Sequence, residues 1–159
     1  MQRTRVASFA ELEQEFIERV HRVVWCNVAT LDTQNRPRSR ILHPIWEGAT
    51  GWIGTRRKSH KGKHIAHNPH VSLAYIADIA KPVYADCVAE WADDGESKQR
   101  VWELFKAAPE PLGYDPGLIF GSMDNPDYGV LKLTPWRIEV ASFPVESWIW
   151  YSEPESTGA

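Results

Sequence analysis

Short apolar runs rich in β-branched side chains, each closed by turn residues, constrain this chain more than any other feature. Val23–Leu31, Arg38–Trp46, Trp52–Thr55, Val71–Ala77, Val83–Trp91, Val130–Thr134 and Arg137–Phe143 read as strands. Turn chemistry separates them at 32–37, at Gly48–Gly51, at Asp78–Pro82 and at Asp93-Asp94-Gly95. No regular strand–helix alternation appears, so a doubly wound parallel sheet is disfavoured. The pattern predicts a mainly β fold, an antiparallel barrel of six to seven strands with peripheral helices. Pro44 cannot donate a ladder hydrogen bond and marks an edge or a bulge within its strand.

Three helices are expected outside the barrel. Ser8 and Glu11 have the spacing of a capping box ahead of a helix over 9–22, on which Phe9, Leu12, Phe16, Ile17 and Val20 recur at helical intervals. Ser59–His67 suits a short helix stopped by Asn68-Pro69, with Gly62 counting against it, and Glu96–Ala108 a longer one. The Pro- and Gly-rich stretch 109–128 reads as a long binding loop or lid. With 159 residues, the chain is expected to hold one domain over 1–143, and 144–159 to be a partly disordered tail.

Composition narrows the function. The N-terminal stretch has no apolar run of the kind a signal peptide carries, and no run is long enough to cross a bilayer, so a cytoplasmic protein is expected. Cys26 and Cys87 both lie in apolar segments and read as buried, reduced thiols. Net charge is −3, yet Arg56, Arg57, Lys58, Lys61 and Lys63 fall in a stretch with no acidic residue between Glu47 and Asp78. A local cationic cluster on an acidic body suits a compact anionic ligand and gives little footprint for nucleic acid. His60, His64 and His67 could share a helix face, but cationic neighbours oppose a metal ion and no metal is expected.

Strand alternation puts Arg38 and Arg40 on one face. Thr55 ends the next strand, and Ser59 and Lys61 stand where a helix would begin. Two hydroxyls, two cations and a helix N-terminus can converge on a terminal phosphate: peptide N–H groups favour the anion, arginine grips it with a planar fork, and lysine adds a point charge.

The order Arg40-Ile41-Leu42, then Ile53-Gly54-Thr55 through Ser59-His60-Lys61, then Asn68-Pro69-His70-Val71-Ser72-Leu73 resembles the pyridoxamine 5′-phosphate oxidase-like family of FMN-binding split β-barrels. The likeness is to its general-stress-protein and deazaflavin-reductase branch. It implies a Greek-key split barrel and a homodimer with the cofactor at the subunit interface. It also implies that Arg40 and Lys61 hold the FMN phosphate, with Thr55 and Ser59 as hydroxyl donors and His60 as a further basic contact. The backbone of Arg40–Leu42, hence Ile41 and Leu42, would run beside the isoalloxazine ring. Trp136 is the tryptophan expected to border it. The C-terminal segment does not match the arginine-containing segment with which the oxidase recognises pyridoxine phosphate, so a different small-molecule substrate is implied.

The expected function is an FMN-dependent oxidoreductase with no assigned catalytic side chain. A reductase using the deazaflavin coenzyme F-420, its anionic tail met by Arg56, Arg57 and Lys58, is the alternative. A non-catalytic flavin-binding or sensing dimer is the third reading.

Overall fold

A computed structural model describes residues 1–153. Nine strands make one sheet among these residues: β1 (Gln2–Arg5), β2 (Cys26–Leu31), β3 (Pro37–Leu42), β4 (Ile45–Glu47), β5 (Thr50–Arg56), β6 (His70–Tyr75), β7 (Val83–Trp91), β8 (Tyr128–Ser142) and β9 (Glu146–Tyr151). The helices are α1 (Glu13–Val23), α2 (His60–His67), α3 (Gly95–Ala107) and α4 (Gly117–Phe120).

The sheet runs β1-β9-β8-β7-β6-β2-β3, with β5 joined to the first half of β8 and β4 to β5. It curls into a barrel without closing. Among the described residues β3 bonds only to β2 and β4 only to β5, although His43-Pro44 alone separates β3 from β4 in the chain. Pro44, expected inside one strand, therefore sits at the split: lacking an N–H, it lets the chain leave one sheet edge and join the other.

Several boundaries differ from the sequence reading for physical reasons. The first helix begins as a 3₁₀ turn at Phe9–Glu11, where the Glu11 carboxylate accepts from the Ser8 N–H at 2.9 Å. α1 then runs through Val23, and a tight turn at Val24, whose φ is +68°, launches β2. The two expected C-terminal strands are one, β8, with a bulge: Asp86 pairs with Arg137 and Cys87 with Pro135, leaving Trp136 over. Residues 144–159 were expected as a tail, but Glu146–Tyr151 form β9, antiparallel to β8 and parallel to β1. Ser147 is buried there and donates from Oγ to Glu139 at 2.7 Å, so β9 is integral to the sheet. Positions 154–159 of the expected tail lie outside the described residues.

α1 plugs the barrel. Phe16 and Val20 pack with Leu73, Ala85 and Ile138, all 1% exposed or less, and burying a side chain such as Phe16 contributes about 2–3 kcal/mol. Arg19, also buried, spends its guanidinium on Glu15, the Ala141 carbonyl and Ser142 Oγ. A second, smaller core lies under α3, where Val101 and Phe105 meet Tyr128 and Val130. Cys26 and Cys87 are free and buried, and burial pushes the Cys26 thiol up to about 12. No helix among the described residues is long and apolar enough to cross a membrane.

Candidate cofactor-binding site

β3 carries two kinds of surface within three residues. In its register with β2, Arg40 lies opposite Val28 and Leu42 opposite Cys26, so both face inward, whereas Ile41 points out and is 61% exposed. Arg40 begins a cationic cradle, and Ile41 and Leu42 begin an apolar cavity.

Neutral groups hold the cradle in place. Arg40 donates from Nη1 to Thr30 Oγ1 at 2.8 Å and lies 3.4 Å from His64 Nδ1, while Thr30 Oγ1 and His64 Nδ1 are 2.8 Å apart. Because a guanidinium only donates, His64 Nδ1 acts as an acceptor here. Burial lowers the His64 pKa, and the Arg40 charge lowers it further, so the imidazole stays neutral. Arg40 is thus fixed without a carboxylate, and its charge remains available to a ligand.

Lys61 is buried in the first turn of α2 and donates from Nζ to Ser59 Oγ at 2.8 Å. Ser59 in turn donates to the Arg56 carbonyl at 2.9 Å. Its only proton is thereby committed, so Ser59 positions Lys61 instead of offering the donor expected of it. Burial lowers the Lys61 pKa, followed by the charge of Arg40; Asp127 opposes this. Two under-compensated cations face one another, as they do in a site shaped for an anion. Thr55, also buried, makes no side-chain hydrogen bond with the described residues. His60 is exposed and lies with Arg38, Arg40 and His64 around a hollow of about 300 Å³.

Arg56 and Arg57 do not join the cradle. Arg56 pairs with Asp127 at 2.9 Å, and Arg57 pairs with Asp93 at 3.3 Å while its guanidinium covers the Trp91 ring at 4.3 Å. Asp127 also accepts the Lys58 N–H at 2.9 Å. That hydrogen bond, ahead of Arg56, holds its carboxyl below the usual carboxylate range. The loop between β5 and α2 is clamped from the distant end of the 109–128 segment. Gly62 fits the same packing: a Cβ there would lie 2.9 Å from the Arg57 carbonyl oxygen.

The apolar cavity holds about 400 Å³. Leu42 and Ile53 form its floor, and Trp25, Tyr114, Leu118 and Ile119 its walls and rim. The 109–128 segment therefore borders the site, as expected of a binding loop. His43 ties that segment down, donating from Nε2 to the Leu112 carbonyl at 2.5 Å, with its ring 4.7 Å from that of Trp25 and 5.3 Å from that of Tyr114. Burial lowers the His43 pKa and lifts that of the Tyr114 phenol to about 12, so both are neutral near pH 7. Trp25, not the expected Trp136, reaches this cavity; Trp136 lines a separate hollow beside His70 and Pro37. The Val24 turn delivers it: a β-branched residue at positive φ is strained, and the Trp25 N–H bonds the Val23 carbonyl at 2.8 Å across it.

A family model described as pyridoxamine 5′-phosphate oxidase matches residues 12–141. The chain belongs to that family. Among solved structures it is similar to a protein related to general stress protein 26 from Clostridium acetobutylicum, with a TM-score of 0.72 and 16% identity over 89% of this chain and 95% of that one. It is also similar to HutZ, described as a haem storage protein, from Vibrio cholerae, with a TM-score of 0.62 and 19% identity over 82% and 94% of the two chains. A haem-binding protein from Mycobacterium smegmatis matches with a TM-score of 0.61 and 18% identity, over 81% of this chain and 55% of that one. At these identities the likeness carries the fold alone. Among curated proteins, none matches this sequence.

Within this pyridoxamine 5′-phosphate oxidase-family barrel, the structure joins Arg40, Ser59 and Lys61 on one side and Ile41 and Leu42 on the other. Thr30 and His43 escaped the sequence reading, and His64 entered it only as one of three histidines that could share a helix face. Alternation along Cys26, Val28 and Thr30 did place a hydroxyl on the barrel's inner face, and His64 stands one turn after His60. Nothing in the sequence pointed to the tie between His43 and Leu112.

Proposed function

We propose that this chain binds FMN and serves as an FMN-dependent oxidoreductase acting on an apolar small molecule. The observation that carries this reading is the adjacency, along β3, of an apolar cavity and a cationic cradle whose Arg40 and Lys61 form no ion pair among the described residues. Arg40 and Leu42 are two residues apart, roughly 7 Å, a separation that suits a phosphorylated ligand with a flat apolar ring. Arg40 and Lys61 hold the phosphate, and Thr55 offers its uncommitted hydroxyl. The ring lies against Ile41, Leu42, Ile53 and Gly54.

Bound FMN supplies hydride transfer through its N5 atom. Trp25, Tyr114, Leu118 and Ile119 exclude water around the ring. His43, neutral and donating to Leu112, holds the covering segment in place, and Tyr114 keeps its proton across the physiological range. Two copies assemble so that the exposed Trp25, Ile41 and Leu118 are covered at the mouth of the site.

A haem-binding reading draws on the solved neighbours. Among the described residues that line the apolar cavity, His43 is the imidazole, and because its Nε2 proton goes to the Leu112 carbonyl, Nδ1 is the nitrogen that would meet an iron. The F-420 alternative is less favoured, because two of the three cations it calls on, Arg56 and Arg57, are paired with Asp127 and Asp93, which leaves Lys58 for the anionic tail. The test is to reconstitute the purified protein separately with FMN, F-420 and haemin, then follow reduction of the bound flavin. Stoichiometric FMN binding with reduction by a nicotinamide donor is expected. FMN binding without reduction by any donor would leave the storage or sensing reading; preferential uptake of haemin or F-420 would overturn the assignment.

A further inference from the structure

Between α1 and the β8–β9 hairpin lies a separate hollow of about 310 Å³, which shares no lining residue with the cradle or the apolar cavity. Its size admits a small organic molecule. One wall is helical: Leu12, Glu15 and Arg19 recur every three or four residues and share a face. The other wall is sheet, where Val140 pairs with Trp148 and Ser142 with Glu146, so that all four point the same way. Lys81 closes the rim from the turn between β6 and β7. That turn is fastened to β8 by hydrogen bonds from the Ala141 N–H to Pro82 and from the Phe143 N–H to Ala80. Lys81 and Glu146 therefore flank Ser142 from opposite sides.

Several groups around this hollow are uncommitted. Arg19 and Glu15 pair with each other at 2.6 Å. Ser142 Oγ accepts from Arg19, and its own proton has no acceptor among the described residues. Lys81 makes no side-chain hydrogen bond or ion pair with the described residues. Glu146 accepts only the Trp148 Nε1–H, at 3.3 Å, and has a second oxygen to offer. One cation and one carboxylate thus line the same hollow without pairing. Its apolar surface is open as well. Trp150, two residues along β9 from Trp148, meets the Phe9 ring at 5.5 Å. The Trp148 ring has no aromatic or cationic partner among the described residues and is 41% exposed.

We propose that this hollow binds a zwitterion with an apolar side chain, an α-amino acid of the phenylalanine or leucine class. Its carboxylate meets the Lys81 ammonium and accepts the Ser142 Oγ proton, and its ammonium meets Glu146; such charge-assisted hydrogen bonds are stronger than neutral ones. Its side chain covers Trp148, Val140 and Leu12, where an aromatic ring gains most. A purely anionic ligand would face Glu15 and Glu146, and a purely cationic one Arg19 and Lys81. The balanced lining therefore favours a ligand carrying both signs. The site does not depend on the flavin assignment.

The test is calorimetric titration of the full chain with L-phenylalanine, N-acetyl-L-phenylalanine, L-phenylalaninamide and glycine. Wild type, Lys81→Met and Glu146→Gln are compared, with circular dichroism to check folding. Among the described residues these two side chains hold nothing but the Trp148 indole, so both variants are expected to fold. Wild type should bind phenylalanine at least about tenfold more tightly than either blocked form, each of which lacks one charge. Glycine, without the side chain, should not bind measurably. Lys81→Met should weaken phenylalanine roughly tenfold yet leave the amide within about twofold. Glu146→Gln should weaken phenylalanine to a similar extent and spare the acetylated form. Equal binding of the four probes by wild type, or none, would overturn the proposal. So would variants that weaken every probe alike, or phenylalanine that FMN displaces, since it would then occupy the cavity beside β3.

Discussion

Two sets of cations lie close together in this molecule and have opposite fates. Arg56 and Arg57 sit in the densest basic run of the sequence, yet each finds a carboxylate, Asp127 and Asp93, from a distant part of the chain. Arg40 and Lys61 are bound instead by a hydroxyl each, from Thr30 and Ser59, with neutral His64 behind Arg40. The first pair locks a loop, and the second leaves its charge unspent. Counter-charge, which only the fold supplies, separates a structural cation from a ligand-binding one.

Perturbing the second set should cost binding, and perturbing the first should cost stability. The largest effect is expected for Lys61→Met, which should weaken FMN by roughly thirtyfold to a hundredfold through loss of a charge-assisted contact, measured by fluorescence titration. Next comes pH. Binding a dianion requires the Lys61 ammonium, whose pKa in the free protein is lowered by burial and then by Arg40. Affinity is therefore full below that lowered pKa and falls as pH rises through it, by up to about tenfold per unit. In the unliganded chain the same shift has the opposite sign for stability. The unfolded state holds the proton more tightly, so unfolding free energy rises with pH between the lowered and the ordinary lysine pKa. Lys61→Arg, whose guanidinium keeps its charge, should flatten the affinity profile.

Smaller effects should appear around the paired set, and in thermal unfolding. A Cβ at Gly129 would lie 2.6 Å from the Trp91 ring and 3.2 Å from the Arg57 side chain. Gly129→Ala should therefore cost about 1–3 kcal/mol by overpacking. Arg57→Ala should cost about 1 kcal/mol, removing an ion pair and a guanidinium–indole contact at the surface. A marked loss of FMN affinity in Arg57→Ala would erase the distinction between the two sets.

What the sequence revealed follows from which forces are local. Strands with an inner apolar face, such as β2, β6 and β7, were legible because alternation is written in neighbouring residues. β1 was not: Gln2-Arg3-Thr4-Arg5 has no apolar alternation and becomes a strand only by pairing with β9. β9 did carry a signal in Trp148-Ile149-Trp150-Tyr151, residues with strong strand preference, which the reading of a frayed terminus overrode. At the candidate site, order and spacing put forward Arg40, Ser59 and Lys61, and the structure links Ser59 to Lys61 by a hydrogen bond. The link between Thr30 and His64 was not legible, because it is a hydrogen bond between residues 34 positions apart. The basic run misled for the same reason: the partners of Arg56 and Arg57 lie 71 and 36 positions away.

The most direct test is a charge-matched pair, Arg40→Gln and Arg57→Gln, each titrated with FMN at one ionic strength. Both remove a single positive charge from neighbouring parts of the surface. The counter-charge account predicts that Arg40→Gln weakens FMN by at least about thirtyfold and Arg57→Gln by less than about threefold. Equal losses would mean that the basic run acts only through its total charge, and would contradict it.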